Sequence, residues 1–189
     1  MRLAVIVAST RSGRFGPTVA HWFADQAAKR AELTIDLIDL AATQLPAVLT
    51  DTDEPMPAEV AVLAPRLAAA DAFVVVTPEY NSSFPAPLKT ALDWYYEEWH
   101  AKPVAIVSYG RETGGLYAAA QLRQVFTELH AVAIRNTVAL PCYWEQFAAD
   151  GSWPRPGSGY EHAVKTTLDQ LVWWAAALRT ARLHTPYQP

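Results

Sequence analysis

Five stretches of this chain are apolar and mostly rich in β-branched residues, and segments with helical periodicity separate them. The stretches are "LAVIVAS" (3–9), "LTIDLIDL" (33–40), "AFVVVTP" (72–78), "PVAIVSYG" (103–110) and "AVAIRNTVALP" (131–141), the last more polar in its middle. The first, third and fourth run almost without a polar break. That is the pattern of parallel strands covered on both faces. The second alternates, with Leu33, Ile35 and Leu37 opposed by Thr34 and Asp36, which suits an edge strand. Helical stripes fall between them: Val19, Phe23 and Ala27 within 17–30, Leu122, Val125, Phe126 and Leu129 within 114–130, and Leu168, Leu171, Val172 and Ala175 near the C-terminus. Segments 57–70 and 86–99 complete the set. Strands alternating with helices specify a doubly wound parallel α/β sheet, and right-handed crossovers bring the loops after the strands to one sheet edge.

A length of 189 residues is that of one domain with a full core, and the whole span 1–189 reads as a single domain. Segments 41–56 and 141–160 are long connections. They are either spacers or, given Tyr143, Trp144, Phe147 and Trp153, packed loops. A net charge of -4 without any Lys/Arg run argues against a nucleic-acid binder. The single cysteine, Cys142, excludes an intrachain disulfide framework and a cysteine-based metal cluster, and no metal site is expected. No stretch approaches the roughly 20 apolar residues of a membrane span. The apolar N-terminus reads as a first strand rather than a signal peptide, so the expected location is cytoplasmic.

Ligands of open α/β sheets bind beyond the carboxyl ends of the strands, which directs attention to three loops. In "ASTRSGRFGPTVA" (8–20), hydroxyls at Ser9, Thr10 and Ser12, arginines at 11 and 14, and Gly13 and Gly16 precede a helix whose first turn holds Pro17. Free amides, a helix dipole and guanidinium donors there would favour an anion. The alternative is an ordinary strand-to-helix turn with arginines in water. In "TPEYNSSFPAPLKTALDW" (77–94), Pro78, Pro85 and Pro87 stiffen a loop that displays Glu79, Tyr80 and Asn81. Such a loop can rest a planar heterocycle, or serve as a rigid connector. In "SYGRETGGLYA" (108–118), Gly110, Gly114 and Gly115 allow close backbone approach beside Ser108 and Tyr109. Together the loops suit a mononucleotide with a large flat ring. Neither GxGxxG nor GxxxxGK[ST] occurs.

These three stretches, with the C-terminal "LVWWAAALRTAR", resemble the NAD(P)H-dependent FMN reductases, relatives of flavodoxin that include quinone and azo-compound reductases. The resemblance covers nearly the whole chain. It implies a flavodoxin-like three-layer α/β/α sandwich with five parallel strands in the order 2-1-3-4-5. It also implies FMN as cofactor and NADPH or NADH as reductant. The implied phosphate loop takes in Ser9, Arg11, Phe15 and Gly16, with Arg14 and Thr18. The implied ring contacts are Pro78, Glu79, Tyr80 and Asn81, and Ser108, Tyr109, Gly110 and Gly114 close the other side. Arg111 stands where glycine is expected, which narrows the third loop or recruits a negatively charged substrate.

With FMN bound, the redox chemistry would belong to the flavin, and no side chain need act as acid or base. The expected cycle is ping-pong, with hydride passing from NAD(P)H to flavin N5 and on to a quinone, azo compound, flavin or similar acceptor. The alternative is a flavodoxin-type electron carrier, or an FMN-binding protein without NAD(P)H turnover. The five histidines lie outside the three loops, at surface or packing positions. Trp94, Tyr95, Tyr96 and Trp99 give the segment 86–99 more aromatic surface than one sheet face covers. A homodimer or a tetramer is therefore expected.

Overall fold

The computed structural model describes residues 1–51 and 53–189. Its strands are β1 (Arg2–Val7), β2 (Thr34–Asp39), β3 (Ala72–Pro78), β4 (Pro103–Gly110) and β5 (Val132–Pro141). The helices are α1 (Gly16–Ala28), α2 (Leu40–Thr43), α3 (Ala58–Ala68), α4 (Ala86–Trp94), α5 (Leu116–Glu128) and α6 (Tyr160–His184). The strands form one parallel sheet in the order β2-β1-β3-β4-β5, so the chain reverses direction across the sheet between β1 and β3. This is the expected order, with β2 at an edge.

β3 and β4 are buried along their whole length because helices cover both of their faces. One apolar layer joins Val5, Val7, Val74, Val76 and Val107 to Phe23 of α1 and Leu168 and Leu171 of α6. The opposite layer joins Ile6, Phe73, Val75 and Ile106 to Leu63 of α3, Leu92 of α4 and Phe126 of α5. The alternation of β2 has a specific cause. Asp36 faces α3, where its carboxylate accepts from Arg66 at 2.5 Å while also meeting Arg2. The guanidinium of Arg66, then that of Arg2, holds the Asp36 carboxyl below its ordinary range despite burial.

The aromatic segment after β3 departs from expectation. The helix ends at Trp94, Tyr95 turns extended, and Glu97–Trp99 form a 3₁₀ turn. Tyr95 and Trp99 are buried within the chain itself, the former donating to Val60 O at 3.0 Å and the latter packed at a tilt against Phe73, ring centroids 4.6 Å apart. Trp94 is half-buried and donates its Nε1–H to Pro46 O. Only Tyr96 of the four is exposed, so these aromatics do not supply the surplus surface that the sequence suggested.

Segment 141–160 is a packed loop. It contains a 3₁₀ turn, Tyr143–Gln146, and seats Trp153 against Phe15 and Trp22 with ring centroids 5.0 and 5.5 Å apart.

Candidate functional site

The loops after β1, β3 and β4 meet at the switch point between β1 and β3, around a cleft of about 420 Å³. Arg11, Arg14 and Phe15 line it from the first loop, Pro78, Glu79 and Tyr80 from the second, and Tyr109, Gly110 and Arg111 from the third. Tyr143 and Trp144, at the end of β5, form a fourth side.

The first loop holds its shape through Arg14. That guanidinium makes two bonds of 2.6 Å to the Asp39 carboxylate and one of 2.8 Å to Ser9 O. The Asp39 bond raises the Arg14 pKa further. Burial opposes ionisation of Asp39, but the Arg14 bond and the Ala41 amide still hold its carboxyl below the ordinary range. Arg14 is thus engaged as the loop's internal brace, whereas Arg11 is exposed and its guanidinium has no hydrogen-bond or ion-pair partner among the described residues. The backbone amides of Thr10, Arg11, Ser12 and Gly13, and those of Phe15 and Gly16, find no acceptor within the described residues. Gly13 takes φ +66°, a left-handed turn that glycine adopts without strain. A run of free amides at the start of α1 is the geometry of an anion cradle.

Beneath this cradle Ser9 is fully buried, and its Oγ has no hydrogen-bond partner. A Cβ on Gly16 would lie 2.3 Å from that oxygen and 3.0 Å from the Tyr109 hydroxyl, so only glycine lets the helix start so close to the sheet. Burial pushes the Tyr109 phenol upward, and it stays neutral near neutral pH. Thr18 is exposed on α1, away from the cleft lining.

In the second loop, Tyr80 and Ser83 exchange backbone hydrogen bonds of 2.8 and 3.0 Å across a two-residue turn. Asn81 and Ser82 occupy it at φ +50° and +62°, the type I′ conformation, unusual without glycine. Gln121 of α5 holds this turn, donating to Ser82 O at 2.8 Å and accepting from the Ser83 hydroxyl at 2.6 Å. The Glu79 carboxylate turns away from the cleft. It accepts from the Thr113 hydroxyl and from the Tyr117 and Ala118 amides at the start of α5.

The third loop presents backbone. Ser108 is fully buried and donates to Gly114 O at 2.8 Å, so its hydroxyl serves the loop and not the cleft. Gly110 packs so tightly that a Cβ would lie 3.1 Å from Gly115 N. Of the residues expected at the site, Arg11, Arg14, Phe15, Pro78, Glu79, Tyr80, Tyr109 and Gly110 line the cleft. Ser9, Gly16, Ser108 and Gly114 form its floor and supports, and Asn81 sits at the exposed turn. Tyr143 and Trp144 were expected only as loop-packing aromatics. Their sole sequence signal was their clustering just after the last strand.

The residues fit FMN on observations of this structure: a cradle of free amides over a glycine, an exposed arginine beside it, and a cleft walled by Tyr80 and glycine backbone.

Residues 1–145 match the family model described as NADPH-dependent FMN reductase. An NAD(P)H-dependent FMN reductase of Schizosaccharomyces pombe is 37% identical over 152 residues, which is 74% of each chain. A 2-hydroxy-1,4-benzoquinone reductase of Burkholderia sp. is 34% identical over 182 residues, covering 92% of this chain and 96% of the other. Among solved structures, the flavoenzyme NAD(P)H:(acceptor) oxidoreductase FerB from Paracoccus denitrificans superposes with a TM-score of 0.74 at 26% identity. It covers 91% of this chain and 97% of its own.

Proposed function

The chain belongs to the NADPH-dependent FMN reductase family, an oxidoreductase family that uses FMN with NAD(P)H, and from that premise we propose that it reduces quinone-type acceptors in a ping-pong cycle. The net reaction converts NAD(P)H, a proton and a quinone to NAD(P)⁺ and a hydroquinone. FMN, when bound, supplies the two-electron chemistry that links the two halves. Azo compounds and free flavin are further acceptors that the open cleft suits.

The observation that carries this reading is the meeting of the amide cradle before α1, the Tyr80 turn and the Gly110 loop around one cleft. Arg11 and the amides of residues 10–13 would hold the phosphate. Arg14, braced by Asp39, would keep those amides aimed. The Tyr80–Ser83 turn and the Gly110 backbone would border the ring, and the Asn81 and Ser82 amides, without an acceptor among the described residues, would be the free donors on that side. Pro78 and Phe15 would exclude water from one side of it. No side chain of the cleft needs to exchange a proton for this chemistry.

We read the protein as a homodimer or tetramer located in the cytoplasm. Val48, Leu49 and Met56, together with Val62 of α3, are exposed apolar side chains, and they support a subunit contact near residues 48–62. Light scattering at micromolar concentration tests this, and a monomeric mass would overturn it.

The functional test is stopped-flow reduction of the FMN-loaded protein by NADPH and by NADH without any partner reductase, followed by reoxidation with a quinone. Rapid bleaching and quinone-dependent recovery are the expected results. FMN uptake without bleaching would instead indicate an electron carrier. A protein that takes up no FMN would overturn the reading.

A further inference from the structure

We propose that Arg111 and Trp144 form one rim of the cleft that selects acceptors both aromatic and anionic, such as sulfonated or carboxylated quinones and azo compounds. This rests on the reductase reading above and assigns a specificity to the same site.

The two residues come from different strand ends but form a single unit. Cys142 N donates to Arg111 O at 3.1 Å, joining the turn after β5 to the loop after β4. Gly114 packs against the same turn so closely that a Cβ there would lie 2.9 Å from Pro141 N.

Tyr143 then fixes the direction of the rim. Its ring stacks on Phe15 at 4.5 Å and meets Tyr109 edge-on at 5.1 Å, while its carbonyl accepts from Trp153 Nε1 at 2.8 Å. Trp144 stands edge-on to Tyr143 at 5.1 Å, lines the cleft and remains 46% exposed. An indole supported on one side by Tyr143 and open on the other is a platform on which a flat ring can stack.

The charge balance of the cleft gives the second half of the specificity. Glu79 lines the cleft, but its carboxylate is turned to Thr113 and the first amides of α5. Arg14 is neutralised by Asp39, and Arg11 belongs to the first loop, beside the amide cradle. Arg111 lines the cleft with its guanidinium in no hydrogen bond or ion pair among the described residues. Glu112 and Glu145 lie near Cys142, and neither reaches ion-pair distance of Arg111. A planar fork of donors and an indole face lining the same cleft match a ring that carries a sulfonate or carboxylate. A neutral quinone would engage only the indole.

The test compares kcat/KM for a sulfonated naphthoquinone and its unsubstituted parent, in wild type, R111A, R111K, W144A and W144F. Calorimetric binding of the redox-inert pair naphthalenesulfonate and naphthol runs in parallel. The expected result is a wild-type preference for both sulfonates. R111A reduces that ratio by about tenfold and R111K by less, as for loss of one charge-assisted contact. W144A weakens both inert ligands by about fivefold, and W144F restores most of the loss.

An equal ratio in wild type and R111A overturns the proposal. So does an R111A defect confined to the KM for NADPH, which would assign Arg111 to the dinucleotide phosphates. If the protein fails to take up FMN or to react with NADPH, the reductase reading fails. The calorimetric ratio still decides the rim, because it needs neither.

Discussion

The carboxylate of Glu79, in the loop after β3, accepts a hydrogen bond at 2.9 Å from the backbone amide of Tyr117, in the first turn of α5. Helix α5 has no side-chain cap of its own, since Gly115 precedes it and its first turn carries no acid. Glu79 supplies the missing acceptor from another loop. The same carboxylate takes the Thr113 hydroxyl at 2.9 Å, so one side chain ties two walls of the cleft together.

Replacing Glu79 with Ala should therefore lower stability by about 1–2 kcal/mol, the usual cost of a lost helix cap. FMN retention should fall with it, because the loop that carries the Tyr80 turn loses one of its ties to α5, the Gln121 bonds remaining. Glu79→Gln should retain part of both. Urea denaturation and flavin fluorescence titration provide the readings. Unchanged stability in E79A would show that the cap contributes nothing.

Gly16 and Ser9 give a paired prediction. Gly16→Ala forces a methyl toward Ser9 Oγ, with an ideal separation of 2.3 Å, and overpacking of this kind costs about 1–3 kcal/mol. Ser9 Oγ is buried and makes no well-aligned hydrogen bond, although the Tyr109 hydroxyl lies near it, so Ser9→Ala should change stability little. The double variant should recover most of the G16A loss. Simple additivity of the two changes would refute the contact.

How much of this was legible in the sequence follows from the physics of each signal. The five strands could be read from their apolar runs, nearly continuous in β1, β3 and β4 because parallel strands are covered on both faces, and β2 showed its edge position by alternating; their order came with the family resemblance. The three ligand loops followed from topology alone. The roles of individual polar side chains did not, because "SGR" and "PEY" say nothing about where a guanidinium or carboxylate turns. Arg14 found Asp39 at the end of β2, and Glu79 found α5, partners distant in sequence. The aromatic excess of segment 86–99 misled for a related reason. Whether Tyr95 and Trp99 face a partner or their own core depends on the break after Trp94, which no local motif announces.

Ser82 offers a test of the strained turn. At φ +62° it sits where an L-residue costs about 1–2 kcal/mol more than glycine. Ser82→Gly should raise the unfolding free energy by about 0.5–1 kcal/mol, after the greater freedom of glycine in the unfolded chain offsets part of the gain. Ser82→Val should destabilise. A stabilising valine would be incompatible with the turn.

Lys102 supplies the pH dependence, at the sheet end opposite the cleft. Its ammonium donates to Leu67 O at 3.0 Å and Ala68 O at 2.8 Å, the last carbonyls of α3, where the helix dipole favours a cation. Burial, then the charge of Arg182, nonetheless lowers its pKa to about 8. The unfolded chain would release this proton only near pH 10.4, so between those values the unfolded state binds more protons and stability rises with pH. Below about pH 8 the full cost of holding the buried charge applies. Lys102→Met removes the titration, although it leaves two carbonyls without their donor. The unfolding free energy of wild type relative to K102M should therefore shift in favour of wild type by roughly 1–2 kcal/mol between about pH 7.5 and about pH 9.5. Guanidinium denaturation at the two pH values measures the shift. A difference that stays constant or moves the other way would mean that Lys102 keeps its proton throughout, held by the α3 carbonyls more strongly than burial opposes it.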